Sequence, residues 1–392
     1  MSEFIFPYSK YNRCFLLFLS NILIQDMADF MDNIPSISQP LIRWYEQNKR
    51  ELPWRETKDP YIIWISEIIL QQTRVVQGYD YFVRFVSRFP DVKVLAEASE
   101  DEVMKYWEGL GYYSRARNLH AAAKQIMADF GGKFPDTYTG ILSLKGVGEY
   151  TAAAICSFSY DMPFAVLDGN VYRVLSRLFA LETPIDSSVG KKQFSELAGI
   201  LLDRKHAAIY NQAIMELGAL QCMPRSPKCE GCPLSDKCMA RARNEMEKYP
   251  VKQGKTVVKP RYFNYLHISF GDITWIHRRT ANDIWRNLYE FVLIETDRDV
   301  TFEQLQENIF YCNLMDGVGR IELKGFPIVR KHVLSHRIIY ARFYTLSIER
   351  ELPETEDYIR IPAGHLSDYA FSRLTLDYLD EINRQKLDNT LF

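Results

Sequence analysis

Hydrophobic residues recur every three or four positions over most of the first 245 residues. Such spacing places apolar side chains on one face of a helix, and Asp59, Ser99 and Asp136 stand at expected helix starts. No long stretch follows the period of two that is typical of a strand. We therefore predict an all-α domain over residues 34–245, with clear helical patterns at Leu41–Tyr45, Ile62–Val76, Tyr79–Phe89 and Leu119–Phe130.

The pattern changes in the last third of the chain, where short runs rich in β-branched and aromatic residues predict strands. The preceding residues 246–262 contain prolines, a glycine and several lysines, which is typical of an exposed basic linker. We predict a small α+β domain over residues 263–385. Its expected strands are Phe263–Phe270, Ile273–His277, Tyr289–Glu295, Gly325–His332 and Tyr340–Ile348, and its expected helices are Thr301–Phe310 and Ser367–Arg384.

The overall charge of the chain gives no sign of a nucleic-acid partner. A length of 392 residues suits two folded domains, and a hydrophobic content of 47% excludes a wholly disordered chain. The net charge is −2, but residues 220–262 carry ten cationic side chains against four acidic ones, a local charge of +6. Any contact with a polyanion is therefore predicted in such a local patch.

The N-terminal segment contains an apolar run, Cys14–Ile24, which is too short to span a bilayer. No cleavage pattern of small residues follows it, as a signal peptide would require. We interpret residues 1–33 as a disordered or non-native extension, with Met27 or Met31 as the natural start. A cytoplasmic protein without a membrane segment is predicted.

Four of the seven cysteines lie close together, at Cys222, Cys229, Cys232 and Cys238. A disulfide framework of a secreted protein would use an even number of cysteines and spread them more widely. Four neighbouring thiolates suit either Zn²⁺ or an iron–sulfur cluster. The spacing therefore predicts a metal site and leaves these two possibilities open.

Two glycines one residue apart, Gly146 and Gly148, lie between two predicted helices. They allow a tight turn whose backbone N–H groups, with the N-terminus of the next helix, can bind a phosphate. Asp168 follows about twenty residues later and precedes Gly169 and Asn170. An aspartate at this place is also a common helix N-cap.

Together these motifs resemble the helix-hairpin-helix DNA glycosylases of the endonuclease III superfamily. The spacing of the cysteines looks like the cluster loop of that family, which implies one [4Fe–4S] cluster. The segments Leu52–Arg55, Tyr61–Val75 and Gly109–Leu119 are similar to the MutY-type adenine glycosylases in particular. The resemblance covers residues 40–245 in order. It implies a six-helix barrel module over residues 61–160 and a cluster module formed by residues 34–60 and 161–245.

The resemblance also implies a chemistry. Tyr150 stands where bifunctional relatives carry the lysine that forms a Schiff base, so a monofunctional glycosylase is expected. Glu67 is expected to protonate adenine at N7, which requires a pKa raised by burial, and Asp168 to stabilise the sugar cation as a carboxylate. Tyr150 and Asn170 are expected to orient these groups and the attacking water.

The implied substrate is double-stranded DNA in which adenine stands opposite 8-oxoguanine or guanine. Adenine must leave the base stack to be reached, and Gln72 and Tyr112 are expected to wedge into the space it vacates. Gly146 and Gly148 are expected to contact the phosphate backbone. A monomer associated with the nucleoid is expected.

The C-terminal domain is similar to the Nudix-like domain of MutY-type proteins, on residues 285–291 and on Leu334-Ser335-His336. The family carries Phe-Ser-His at the latter place, and Leu334 departs from it. Ser335 and His336 are expected to recognise 8-oxoguanine through hydrogen bonds. Residues 301–310 contain no counterpart of the acidic Nudix box, so no pyrophosphatase activity is expected.

Three other functions are compatible with parts of this pattern. A bifunctional glycosylase and lyase is disfavoured by Tyr150. A thymine–guanine mismatch glycosylase is closer, because some such relatives also carry tyrosine there, but Glu67 and the C-terminal domain favour adenine. An inactive iron–sulfur protein that binds DNA or senses redox state is disfavoured by the presence of both Glu67 and Asp168.

Overall fold

The computed structural model describes residues 35–254 and 258–390. The predicted extension over residues 1–33 lies outside these ranges. Helices make up the regular structure of residues 35–248, as the prediction of an all-α domain requires. They are α1 Pro35–Asn48, α2 Pro60–Leu70, α3 Val75–Arg88, α4 Val92–Glu97, α5 Glu100–Trp107, α6 Ser114–Asp129, α7 Tyr138–Leu142, α8 Glu149–Tyr160, α9 Gly169–Leu178, α10 Ser188–Leu201, α11 Ala207–Leu220 and α12 Met239–Ala242, with 3-10 turns at Pro53–Arg55, Ser235–Lys237 and Met246–Lys248.

Short polar side chains begin several of these helices. Ser99 accepts a hydrogen bond from the backbone N–H of Glu102 at the start of α5, as predicted. The helix expected after Asp136 begins one residue later, because Thr137 accepts from the N–H of Gly140. Such caps satisfy N–H groups that have no partner within the helix.

One predicted helix, Ile62–Val76, is divided in the structure. α2 ends at Leu70, and Gln72 adopts the left-handed conformation with φ 57° before α3 begins at Val75. The buried guanidinium of Arg115 donates to the backbone oxygens of Ile68, Ile69 and Gln71 at 2.9, 2.9 and 2.5 Å. These carbonyl groups would otherwise lack partners at the helix end. The break therefore depends on a residue distant in sequence, which periodicity does not reveal.

Within residues 258–390, one mixed sheet is combined with three helices. The elements are β1 Lys259–Phe270, β2 Ile273–Arg278, β3 Tyr289–Glu290, β4 Val292–Thr296, α13 Phe302–Gln306, α14 Ile309–Leu314, β5 Ile321–Leu323, β6 Ile328–Val333, β7 Arg337–Ile348, β8 Ile359–Pro362 and α15 Arg373–Thr390. The strands run in the order β3-β2-β1-β7-β5, while β4 pairs with β1, β6 with β7 and β8 with β2. β1 and β7 are parallel, and the other strand pairs are antiparallel.

These elements confirm the predicted α+β character but shift some boundaries. β1 begins at Lys259, inside the segment predicted as a linker, because it pairs with β7 from that residue onward. The helix predicted over residues 301–310 is two short helices, since Asn308 caps the second one through the N–H of Phe310. The final helix begins at Arg373 rather than Ser367, after a 3-10 turn at Ala363–Asp368.

The described residues fall into two compact units. Of the described residues, the first unit contains residues 35–67 and 134–254, and the second contains residues 68–133 and 258–390. The predicted linker thus includes one of the points at which the chain passes between the two units. Within the described ranges, no helix has the length and apolar character needed to cross a membrane.

Candidate active site

Glu67 is a buried carboxyl group in the largely apolar helix α2, with 8% of the residue exposed. The phenol of Tyr150, on α8, donates a hydrogen bond of 2.6 Å to its Oε2 atom. Burial raises the pKa of Glu67 to about 7; the Tyr150 hydrogen bond opposes this rise and the charge of Asp168 adds to it. Glu67 can therefore hold or release a proton near neutral pH.

Asp168 is the N-cap of α9 and is half-buried. Its Oδ1 atom accepts hydrogen bonds from the backbone N–H groups of Asn170 and Val171 at 2.9 and 2.8 Å, and its Oδ2 atom accepts one from Asn170 Nδ2 at 2.7 Å. Burial raises the pKa of Asp168, and these hydrogen bonds oppose the rise because they favour the carboxylate. Asp168 is thus both a helix cap and a charge that acts on Glu67.

Tyr150 completes this group of side chains. Burial, together with the charges of Glu67 and Asp168, raises the pKa of Tyr150 well above 10. The phenol therefore stays protonated and acts as a hydrogen-bond donor. The structure brings together Glu67, Tyr150 and Asp168, which lie on α2, on α8 and at the N-cap of α9.

Asn170 is held between two charged groups. Its Nδ2 donates to Asp168, and its Oδ1 accepts from Arg173 Nη2 at 2.8 Å. Arg173 also donates to the backbone oxygens of Gly218 and Cys222, both at 2.7 Å. The first turn of α9, which carries Asp168 and Asn170, is therefore tied to the end of α11 and the start of the cysteine loop.

Gly218 allows α11 to approach Asn170, and its replacement is a first test of this packing. A Cβ atom added at Gly218 would lie 2.6 Å from Asn170 Cβ and 3.0 Å from its backbone oxygen. We expect Gly218→Ala to destabilise the protein by about 1–3 kcal/mol in thermal or denaturant unfolding, as overpacking does. Because the shift acts on the residues around Asp168, any activity that depends on the Asp168 carboxylate is expected to fall as well.

Gly199→Ala is the matched control for this substitution. Gly199 lies inside α10, and an added Cβ atom would meet nothing within 4 Å. Alanine is favoured over glycine by up to about 1 kcal/mol in a helix, so this variant should be as stable as the parent or more so. Equal behaviour of the two variants would contradict the proposed role of the close approach at Gly218.

A buried ion cluster beside the site was not predicted from the sequence. Glu216 on α11 is 1% exposed. Arg50 donates to it at 2.5 and 2.8 Å, and Arg55 at 2.7 and 2.9 Å. Although burial acts in the opposite direction, these arginines lower the pKa of Glu216 to about 2. The charge of Arg55 also acts on Glu67 and lowers its pKa.

A signal for this cluster exists in the sequence. Glu216 stands between apolar residues, after Ile214 and Met215 and before Leu217, and a glutamate in such a place is seldom buried without a partner. Arg55 belongs to the Leu52–Arg55 motif, but its partner lies 161 positions away. Spacing along the chain therefore could not identify the pair.

The two glycines of the predicted hairpin lie in an exposed turn between α7 and α8. Gly146 has φ 77°, which favours glycine, and Gly148 is the N-cap of α8. This arrangement leaves the N-terminus of an α-helix directly behind the turn, as the sequence predicts. Contact of this turn with a phosphate stays a prediction.

The four predicted metal-ligating cysteines line one pocket, together with Arg177 and Arg241. Arg177 Nη1 lies 3.3 Å from Cys222 Sγ, and Arg177 also donates to the backbone oxygens of Met223, Pro224 and Met246. Within the described residues, no group of three or more Cys, His, Asp or Glu side chains is arranged to hold a single metal ion. Four sulfur donors beside guanidinium groups have the chemistry that suits an iron–sulfur cluster.

The remaining predicted residues, Gln72, Tyr112, Ser335 and His336, belong to the second unit. Gln72 and Tyr112 are exposed and have left-handed backbones, with φ 57° and 47°. The Tyr112 Oη and Ser335 Oγ atoms are 2.9 Å apart, so one hydroxyl donates to the other. His336 is exposed, and its backbone oxygen accepts from the N–H of Lys259 at 3.2 Å.

Comparison with family models gives three matches. The model described as HhH-GPD superfamily base excision DNA repair protein matches residues 65–198. The iron-sulfur binding domain of endonuclease III matches residues 222–238, and a NUDIX domain matches residues 265–381. The iron–sulfur model spans all four clustered cysteines and favours an iron–sulfur cluster over zinc.

Comparison with curated and solved proteins gives relatives over most of the chain. The adenine DNA glycosylase of Buchnera aphidicola subsp. Schizaphis graminum is 37% identical over 272 residues, which cover 69% of this chain and 78% of that protein. The adenine DNA glycosylase of Homo sapiens is 39% identical over 234 residues, 57% of this chain and 42% of that protein. A solved structure of a thermostable thymine-DNA glycosylase is 28% identical, with a TM-score of 0.49, and matches 54% of this chain and 98% of that one.

Proposed function

Because this chain belongs to the adenine DNA glycosylase family, we propose that it hydrolyses the N-glycosidic bond of adenine mispaired with 8-oxoguanine or guanine in DNA. It is a base excision repair enzyme that acts on an adenine turned out of the helix. The observation that carries the proposal is the buried Glu67 carboxyl group, hydrogen-bonded to Tyr150 and coupled to the charge of Asp168.

The two carboxyl groups have different environments, which suits different roles. Glu67 has a pKa near 7 and accepts one hydrogen bond from a side chain. Asp168 accepts three hydrogen bonds, all of which favour its ionised form. Glu67 is accordingly the general acid, and Asp168 is the anion that faces the sugar.

The reaction proceeds by departure of the protonated base. Glu67 donates its proton to adenine N7, and the bond between N9 and C1′ breaks with its electron pair moving to the base. The sugar gains oxocarbenium character, which the carboxylate of Asp168 stabilises. A water molecule then attacks C1′, and its released proton returns to the Glu67 carboxylate. Tyr150 and Asn170 orient the two carboxyl groups during these steps.

The enzyme is monofunctional because residue 150 is tyrosine. Formation of an imine with the sugar requires a primary amine, and the phenol of Tyr150 is held protonated against Glu67. Water is therefore the attacking group. No covalent adduct of the protein with abasic DNA should be trapped by borohydride.

Residues of each unit are assigned contacts with DNA. Gly146 and Gly148 contribute backbone N–H groups to a phosphate, and Gln72 and Tyr112 enter the base stack. Ser335 and His336 recognise the base opposite the adenine through hydrogen bonds. The exposure of Gln72, Tyr112, Ser335 and His336 supports these roles.

The cofactor is one [4Fe–4S] cluster held by Cys222, Cys229, Cys232 and Cys238. When bound, the cluster supplies four metal–thiolate bonds that fix the loop over residues 222–238. Arg177 stabilises this arrangement through its hydrogen bonds to Cys222 and to the loop backbone.

The central experiment measures base release from three duplexes. Purified protein is incubated with DNA containing adenine opposite 8-oxoguanine, adenine opposite guanine, and thymine opposite guanine. Adenine release from the first two is expected, without thymine release from the third. Release of thymine alone would support a mismatch thymine glycosylase instead, and absence of adenine release would overturn the proposal.

The pH dependence of the rate follows from the protonation of Glu67. A general acid must be protonated before the reaction, so kcat/KM is expected to fall as the pH rises above about 7, the pKa of Glu67. Tyr150→Phe removes a hydrogen bond that lowers this pKa. In this variant, the fall of kcat/KM at alkaline pH should therefore begin at a higher pH than in the parent protein. If kcat/KM falls at the same pH in Tyr150→Phe as in the parent protein, protonation of Glu67 is not the cause of this fall.

A further inference from the structure

Side chains on helix α5 join the sheet of the second unit at a group we name the clamp: Glu100, Asp101, Arg278, Asn287 and Tyr289. Arg278 Nη2 lies 3.1 Å from Asp101 Oδ1, and the Tyr289 hydroxyl donates to Asp101 Oδ2 at 3.2 Å. Asn287 Nδ2 donates to Glu100 Oε1. Both oxygens of Asp101 are therefore engaged by the sheet.

Backbone groups of two segments next to the sheet extend the same contact. Arg117 donates to the backbone oxygen of Arg286 at 2.8 Å, and Lys105 donates to that of Tyr369 at 3.0 Å. The N–H of Phe371 donates to Glu108 at 2.7 Å. Residues 100–117 thus bind two segments, one before β3 and one before α15, and these segments are neighbours because Tyr289 and Phe371 form a β-bridge.

The backbone conformation of the loop before β3 depends on this contact and on the adjacent sheet. Trp285 and Asn287 have left-handed backbones, with φ 59° and 67°. Such a conformation is unfavourable for a bulky residue and persists where the surroundings hold it. Arg279, at the end of the sheet, stabilises this loop by donating to the backbone oxygen of Ile284 at 3.0 Å and to the Glu290 carboxylate at 2.8 and 2.9 Å.

The clamp connects to the turn that carries Ser335. Trp285, in the clamped loop, contacts His332 of β6 with ring centroids 5.8 Å apart, and β6 leads directly to residues 334–336. Tyr112 lies on the other side, in the segment after α5, and meets Ser335 at 2.9 Å. Because both hydroxyls are in exposed residues, water competes with their hydrogen bond, which adds little to holding the turn.

We propose that the clamp fixes the position of Ser335 and His336 relative to Tyr112. It thereby determines how strongly the enzyme discriminates 8-oxoguanine from guanine opposite adenine. The inference rests on the proposed function of these residues. Glu100, Asp101, Arg278, Asn287 and Tyr289 are positioning residues, and none of them belongs to the catalytic group.

The test reverses the charges of one pair and then exchanges them. The variants are Asp101→Arg, Arg278→Asp and the double variant with both changes, in the full-length protein. The readout is the ratio of single-turnover rates for adenine opposite 8-oxoguanine and opposite guanine. Each single variant should lower this ratio by roughly three- to tenfold, the scale of a partly exposed ion pair replaced by a repulsion. The double variant should recover most of the loss.

Two controls separate positioning from general damage. Glu97→Arg reverses an exposed carboxylate on α4 whose ion-pair partner is Lys93 in the same helix, and its ratio should stay at the parental value. The rate with adenine opposite guanine, at saturating protein, should be unchanged in all variants because Glu67 and Asp168 are untouched. Thermal melting confirms that each variant is folded.

The outcomes distinguish the inference from the function on which it rests. Parental rate ratios in folded Asp101→Arg and Arg278→Asp variants would overturn the inference and would leave the proposed adenine release unaffected. A double variant as impaired as the single ones would also overturn it. A parent protein that releases adenine at equal rates from both duplexes would instead overturn the proposed role of Ser335 and His336, and the clamp with it.

Discussion

Replacing Glu67 with glutamine is expected to slow adenine release by roughly 10²- to 10⁴-fold, the usual contribution of a general acid. Glutamine keeps the size of the side chain, and its amide oxygen can still accept the hydrogen bond from Tyr150. Its amide protons are not acidic enough to be transferred to adenine N7. Single-turnover rates on the 8-oxoguanine duplex, with binding measured on the same DNA, provide the test.

DNA affinity should be unchanged in Glu67→Gln, because only the protonation chemistry is removed. Glu97→Gln, at an exposed position on α4, serves as a matched control and should retain the parental rate. A Glu67→Gln protein that releases adenine at the parental rate would remove the general-acid assignment.

Replacing Asp168 with asparagine is expected to slow the reaction by roughly 10²- to 10³-fold, the scale of losing one preorganised electrostatic group. Asparagine is as good an N-cap as aspartate, so the N–H groups of Asn170 and Val171 keep an acceptor. The negative charge facing the sugar is lost. The variant therefore keeps the N-cap of α9 and loses the stabilisation of the sugar cation.

The substitution introduces one local conflict that must be separated from the charge effect. Asn170 Nδ2 donates to Asp168 Oδ2, and Asn170 Oδ1 accepts from Arg173, so an amide at residue 168 would face another donor. The unpaired donor is expected to cost about 1–3 kcal/mol of stability. Denaturant unfolding measures this cost directly.

A second substitution repairs the conflict without restoring the charge to residue 168. In Asp168→Asn combined with Asn170→Asp, the new carboxylate accepts from both Arg173 and the amide at residue 168. We expect stability to return toward the parental value while the rate stays low. Recovery of the rate in the double variant would contradict the claim that the charge must stand at residue 168.

The two carboxyl groups differ because of their hydrogen bonds rather than their depth alone. Burial raises the pKa of both Glu67 and Asp168. Asp168 accepts backbone N–H groups at a helix start, which is a favourable place for a negative charge. Glu67 lies within a helix whose own N–H groups are used internally. The division into acid and anion therefore follows from where each residue lies along its helix.

The sequence alone determined the features that depend on neighbouring positions. Periodicity predicted the helical domain and the α+β domain, because burial of one face imposes a local repeat. The spacing of Cys222, Cys229, Cys232 and Cys238 predicted a metal loop, since four ligands must reach one centre. The short motifs around Glu67 and Asp168 pointed to the family that the comparisons then established.

Only the tertiary structure decided which distant residues meet. Arg115 ends α2 at Leu70 by binding carbonyl groups some 45 positions away, so the predicted helix over residues 62–76 was wrong in its length. Glu216 is charged because Arg50 and Arg55 reach it across more than 160 positions. The clamp between α5 and the sheet likewise joins segments with no common sequence pattern.

The physical reason is the range over which each effect acts. A repeat of apolar residues indicates which face of a helix is buried. The residues that form this repeat all lie within a few helical turns of one another. The pKa of Glu67 and the pairing of buried charges depend on every group packed around them, and those groups come from several helices. Local patterns therefore specify the elements and the chemical groups they carry, whereas packing decides which groups become partners and which stay available for chemistry.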